Sequence, residues 1–236
     1  MRPLPSTCRI GPAVNNLPRD KQIDIIAALT EGMSIRAVER LTGVHRDTIM
    51  RLGARVGRGC AELHDRMMVG VRPGRLELDE LWAFVGKKQK RVKRHEAFAK
   101  GDQYTFVALA ASTRAIVSYR TGKRDSATTD DFVQDLRQRV LGSPEFSTDG
   151  FTPYTNAIRD GFRNSAHGVI VKTLAVTDLR KDAAHRYSPS AVVAVSREVA
   201  QGVPMEISTS YVAESEAMRP PIPTEGGHPI RSKAAT

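Results

Sequence analysis

The chain has 236 residues, 40% of them apolar, with 36 Lys and Arg against 26 Asp and Glu, a formal net charge of +10. Such an apolar share supports a buried core and is too large for a chain disordered throughout. Two cysteines, Cys8 and Cys60, cannot build a disulfide framework or a four-ligand zinc site; no apolar run nears the roughly 18 residues of a membrane span, and Met1–Pro18 lacks a signal-peptide apolar region. The expectation is a soluble, cytoplasmic protein with no membrane partner and an anionic one.

Taken in chain order, residues 1–17 read as an N-terminal extension and residues 18–70 as a helical unit. Lys21–Thr30 carries Ile23, Ile26 and Ala27 on one stripe, with Ile25 and Leu29 nearby, and Gly32 ends the run. Ser34 suits an N-cap, Ile35, Val38 and Leu41 follow at helical spacing, and Gly43 stops the second helix. A third helix begins near Val44–Asp47 with Ile49 and Leu52 facing inward, leaving His45, Arg46, Met50 and Arg51 outward. Two short helices joined through a Gly-containing turn, the second one basic, form the pattern of a helix-turn-helix that reads the major groove. An ordinary helical bundle with a basic surface has the same pattern. Under the first reading His45, Arg46, Thr48, Arg51 and Arg55 contact DNA, at base edges or at phosphates.

After the Gly/Pro-containing linker 69–74 the pattern changes to strands. Leu76–Val85 (LELDELWAFV) is an apolar run broken by acids, as in a central strand covered on both faces. Burying Asp79 there is costly unless a cation or strong donors meet it. Residues 86–100 then hold seven basic side chains against one acid, Glu96. A run of this kind is either a solvated loop or a phosphate-contacting one; in the latter case Lys87, Lys88, Lys90, Arg91, Lys93 and Arg94 meet DNA.

Gln103–Ala111 and Arg114–Thr121 read as strands joined by a tight hairpin at Ser112–Thr113. Ser126–Leu141 reads as a helix with Phe132, Val133, Leu136 and Val140 facing a sheet, followed by a strand, Glu145–Thr148, that delivers Asp149 at its end. Thr152–Pro153 opens a short helix to Asp160. Residues 168–184 hold a strand or a loop, flanked by His167 and His185, to which no role is assigned.

Asp79 and Asp149 are 70 residues apart, so only the fold can bring them together. Each alone reads as a turn-capping residue. As a pair they repel unless a divalent cation neutralises them, and an oxygen-only site suits Mg²⁺ or Mn²⁺.

Five strings, EGMSIRAVERLTGVHRDTIMRLG (31–53), LELDELWAFVGKKQ (76–89), YRTGKRD (119–125), FSTDGFTPY (146–154) and ISTSYV (207–212), resemble the insertion-sequence transposases of the IS-one type. The resemblance runs in the family's order over nearly the whole chain. It implies an α/β protein in which a bacterial helix-turn-helix precedes a ribonuclease H-like mixed-sheet domain at 75–212. It further implies Mg²⁺-dependent cleavage and strand transfer on double-stranded DNA (transposon ends and target), a homodimer or higher assembly, and a nucleoid-associated location. By position the family's first two catalytic, metal-binding aspartates fall on Asp79 and Asp149.

The third carboxylate departs from the family. Where relatives carry Glu after SYV, this chain has Ala213, with Glu214 one place on and Glu216 beyond. Glu214 is the candidate third catalytic and metal-binding acid, although one residue of slip turns a helical side chain by about 100°. Residues 213–236 read as an irregular, divergent tail with Pro220, Pro221 and Pro223, which stop a helix, so the catalytic domain is expected to be incomplete at its C-terminus. Three functions remain open: a transposase that cleaves weakly or not at all, a non-catalytic DNA-binding regulator or transposition inhibitor, and a regulator with an effector-sensing α/β domain.

Overall fold

The computed structural model describes residues 17–96, 100–174 and 192–209, which fall into two compact units divided between Leu63 and His64. Glu214, Glu216, His185 and the whole 213–236 tail lie outside the described residues, as does most of the 1–17 extension.

The first unit has three helices: α1 (Arg19–Thr30), α2 (Ile35–Thr42) and α3 (Arg46–Met67), the last continuing past the unit's boundary. Ser34 caps α2 as expected, its hydroxyl accepting from the Ala37 N–H at 3.2 Å. Gly43 ends α2 at φ 68°, a left-handed conformation that costs a side-chain-bearing residue energy and glycine little. Ile25, Val38, Ile49 and Leu52 form the buried core. The inward stripe of α1 is centred on Ile25, with Ile26 and Leu29 packed beside it, whereas Ile23 is exposed. Ile23 differs from its expected place because the angular phase of a short stripe shifts with one residue's choice of partner.

The second unit is an α/β layer on a six-stranded mixed sheet, with strands β1 (Arg75–Val85), β2 (Gly101–Ala110), β3 (Ile116–Gly122), β4 (Glu145–Asp149), β5 (His167–Leu174) and β6 (Val192–Gln201) in the order β3-β2-β1-β4-β5-β6. β1, β2 and β3 form an antiparallel meander, β4 and β5 run parallel to β1, and β6 returns antiparallel to β5. Order and directions are compatible with a ribonuclease H-like fold.

Helices α4 (Ser126–Arg139) and α5 (Pro153–Gly161) supply Phe132, Val133, Leu136, Tyr154 and Ile158 to one core with Leu76, Leu78, Phe106 and Phe146 of the sheet. α4 starts where expected, but its cap is Asp125, whose carboxylate accepts from the Thr128 N–H at 2.9 Å. Val140 is buried as expected, although it lies just past the helix, bridged to Val71 of the linker. β6 has no counterpart in the sequence-based expectations, and its Val192, Val193, Val195 and Val199 are exposed.

Truncating Leu136, fully buried between α4 and the sheet, is expected to cost about 2–5 kcal/mol. Val195→Thr on exposed β6 should change stability by less than about 0.5 kcal/mol. Urea unfolding of the two variants beside the parent chain measures the difference.

Candidate metal centre

The 70-residue separation of the two aspartates is also the register of the sheet. β1 and β4 pair in parallel as Arg75–Glu145, Leu76–Phe146 and Glu77–Ser147, so the same offset sets Asp79 level with Asp149. The ladder stops at Glu77–Ser147, two residues short of them. Beyond that point Asp79 pairs with Val107 of β2 and Asp149 with Ile170 of β5. The acids therefore stand where two parallel neighbours part at their C-terminal ends, the crevice in which open α/β sheets hold ligands.

Three carboxylates meet there: oxygen atoms of Asp79, Glu80 and Asp149 all lie within 4.8 Å of one another. Asp79 and Asp149 are the expected pair. Glu80 is the addition. Successive strand residues face opposite sides of a sheet, so a reading by alternation separates Glu80 from Asp79. At the open end of the ladder both carboxyl groups reach the same gap. Asp79 Oδ1 accepts from the Glu80 N–H at 2.8 Å, which draws its side chain along the strand towards its neighbour.

Glu80 is 8% exposed and continues the face on which Leu76 and Leu78 pack under the helices. Burial raises its carboxyl above the ordinary carboxylate range, and the charge of Asp149 adds to the effect. Opposing them are Tyr154 and Arg124. The hydroxyl of Tyr154, a fully buried residue of α5, lies against the carboxylate but short of a well-formed hydrogen bond. Desolvation first, then Glu80, pushes that phenol well above its usual range. Arg124, in the turn between β3 and α4, donates from Nε to Glu80 Oε2 at 2.9 Å and from an Nη to Asp149 Oδ2 at 3.0 Å. Its guanidinium lies 4.0 Å from the centroid of the Phe151 ring. The backbone N–H of Phe151 donates to the other Asp149 oxygen at 3.0 Å.

The donor set is all oxygen, which suits a hard cation such as Mg²⁺ or Mn²⁺. Glu80 Oε1 is buried with no hydrogen-bond partner among the described residues, an unfilled acceptor belonging to the cluster. These residues fit a divalent ion. Of the expected third acid nothing follows, since Glu214 lies outside the described residues.

The basic loop after β1 contains two single 3₁₀ turns, Gln89–Arg91 and Arg94–Glu96. Glu96 is gripped by Lys100 and Lys87, each at 2.7 Å, and these two bonds lower its carboxyl to about 2. Lys87 is thus paired inside the loop, because a lone acid among seven cations attracts the nearest of them. Lys88, 5.8 Å from the Trp82 ring centroid, and Lys90, Arg91, Lys93 and Arg94 are exposed. Lys123 donates to the Lys100 and Asp102 carbonyls at 3.2 and 2.7 Å, tying the loop's base to the residue before Arg124.

In the helical unit Arg46, Thr48, Arg51 and Arg55 are exposed on α3. Thr48, Arg51, Arg55 and Arg58 line a cleft with Leu17 and Gln22, and Arg55 donates to the Gln22 side chain at 2.9 Å. His45 sits 3.7 Å from the Asp47 carboxylate and accepts from its N–H at 3.3 Å.

The sequence reading missed Glu80, Arg124 and Tyr154. All three lie inside the strings quoted above for the transposase resemblance, but no local pattern of charge or period marks them. His167, left without a role, is a buried structural group: its Nε2 is 2.9 Å from the Thr148 hydroxyl, which in turn donates to the Asp149 carbonyl at 2.9 Å. That chain makes Nε2 the protonated nitrogen of a neutral ring.

Burial lowers the His167 pKa from 6.5 to about 4, so between these values the unfolded chain binds a proton that the folded one refuses. Stability is therefore lost as pH falls from about 6.5 towards 4, by about 3 kcal/mol at the lower end. In His167→Gln this part of the pH dependence should vanish, as followed by urea unfolding at stepped pH; an unchanged slope would refute the assignment.

No protein-family model matches the chain, and no curated protein matches it.

Proposed function

We propose that this chain is a DDE-type transposase of the insertion-sequence class, acting on double-stranded DNA with Mg²⁺ or Mn²⁺. The observation that carries this reading is the gathering of Asp79 and Asp149 at the open end of β1 and β4, in a sheet whose order suits a ribonuclease H-like domain. Phosphodiester chemistry at such a site depends on positioning and charge neutralisation rather than on a protein nucleophile. A bound divalent ion supplies activation of the attacking oxygen and stabilisation of the leaving one. Asp79 and Asp149 would hold it, with Glu80 as a further oxygen donor. Phe151 N–H keeps one Asp149 oxygen oriented, and the Glu80 N–H does the same for Asp79.

DNA binding is assigned to two basic surfaces. Arg46, Thr48, Arg51 and Arg55 on α3 support a helix-turn-helix reading, with α2 and α3 joined through left-handed Gly43. Lys88, Lys90, Arg91, Lys93 and Arg94 supply backbone contacts. Assembly as a homodimer or larger, as expected of an enzyme that joins two transposon ends, and a nucleoid-associated location in a bacterial cytoplasm complete the proposal. No described helix is long and apolar enough to cross a membrane.

With Ala213 in place of the family's Glu, strand transfer is expected to be weak. Any product formed on the element's own terminal sequences with Mg²⁺ should be lost on Asp79→Asn or Asp149→Asn while DNA binding, read by fluorescence anisotropy, persists. A non-catalytic DNA-binding regulator is the correct reading if Asp79→Asn leaves every DNA-dependent activity unchanged.

Loop binding should be electrostatic. Changing Lys90, Arg91, Lys93 and Arg94 together to Ser should reduce the slope of log Kd against log salt by roughly 3 to 4, one part per lost phosphate contact. An unchanged slope assigns the loop to solvent.

A further inference from the structure

Arg124 occupies the place where a cation is needed. Its fork bridges Glu80 and Asp149, two members of the three-carboxylate cluster, at 2.9 and 3.0 Å. Both Asp149 oxygens are already engaged in this arrangement, Oδ1 by the Phe151 N–H and Oδ2 by Arg124. Glu80 likewise has Oε2 engaged by Arg124, leaving the buried Oε1 as its open acceptor. A divalent ion drawing on Asp149 Oδ2 and Glu80 meets the guanidinium as a rival for the same oxygens and as a like charge at close range.

We propose that Arg124 is the resident counter-cation of the metal-free centre and competes with the divalent ion for Asp149 and Glu80, so that it sets the site's metal affinity. This rests on the metal-binding reading above. The residue is suited to such an exchange. Its side chain is about one-third exposed, so it has room to leave, and the Phe151 ring beneath it offers a face on which the planar group can remain stacked. Without Arg124, Glu80 and Asp149 would lose the guanidinium that bridges them, and the metal-free fold would suffer more from repulsion within the cluster. With it, the metal-free protein is held together and metal binding is weakened in proportion.

Arg124 is therefore a positioning residue whose removal should strengthen metal binding, the opposite of what loss of a ligand does. Mn²⁺ binding to the full chain, measured by calorimetry and by the electron paramagnetic resonance signal of free Mn²⁺, reads this directly without any activity. Arg124→Gln is expected to bind Mn²⁺ roughly tenfold tighter than the parent, given the removal of one positive charge from beside the ligands. Its metal-free Tm should fall and its Mn²⁺-induced rise in Tm should grow. Arg124→Lys, which retains a charge but lacks the bidentate fork, should fall between the two.

Equal or weaker Mn²⁺ binding in Arg124→Gln, with binding abolished in Asp149→Asn, overturns the competition and leaves the metal site standing. Absence of Mn²⁺ binding in both the parent and Arg124→Gln overturns both readings. Should Arg124→Gln fail to fold by circular dichroism, Arg124→Lys decides: tighter binding than the parent supports the competition, and equal or weaker binding overturns it.

Discussion

Three carboxylates within 4.8 Å of one another are the constraint around which the α/β unit is arranged. At an effective dielectric of about 20, each like-charged pair at that separation costs about 3 kcal/mol, a large share of a domain's net stability. The structure offsets this with specific groups. Arg124 bridges two of the acids, the backbone N–H groups of Glu80 and Phe151 each donate to an aspartate, and burial shifts Glu80 towards its neutral form. Arg124 in turn is placed by its neighbours. Lys123 is bonded to the start of β2, and Asp125 caps α4, so the short turn between β3 and α4 is anchored on both sides of the arginine.

The acidic gap and the hydrophobic core are consecutive parts of one strand face. Along β1, Leu76 and Leu78 are fully buried beneath α4 and α5, and Glu80 is next on the same side. Tyr154 marks the changeover: its ring packs against Phe106 and Phe151, while its hydroxyl lies at the Glu80 carboxylate. Close packing of that core thus positions the acids, because a shift of α5 would move the Tyr154 phenol that lies against Glu80. His167 works similarly from β5, holding Thr148 directly beside Asp149.

The positive charge has two different local fates. On α3 the arginines stand outward on a helix whose inner side, Ile49 and Leu52, anchors the small core. In the loop after β1 the single acid, Glu96, gathers Lys87 and Lys100 and so gives the loop a fixed base, leaving the intervening cations exposed. A count of charge along the chain registers both regions but does not separate the lysines that build the loop from those free to meet a partner.

The sequence by itself determined most of the elements, because their signals are local. Ser34 and Gly43 bracket α2, Pro153 opens α5, and the apolar positions of α4 follow a helical period. It also singled out Asp79 and Asp149, through the costliness of an acid in an apolar strand and through the family-like strings around them. Other features were decided by the tertiary structure alone. Glu80 and Asp79 keep to opposite faces of β1, and their carboxyl groups meet in one gap only because the β1–β4 ladder ends before them. Arg124 meets Glu80 across 44 residues and Asp149 across 25, and no local pattern encodes which cation will close a gap between strands. The exposed valines of β6 carry no alternation from which a half-buried strand could be read, so that strand is defined by its pairing with β5. Local chemistry sets what each segment can form, while the register between distant segments sets which charges must share a site.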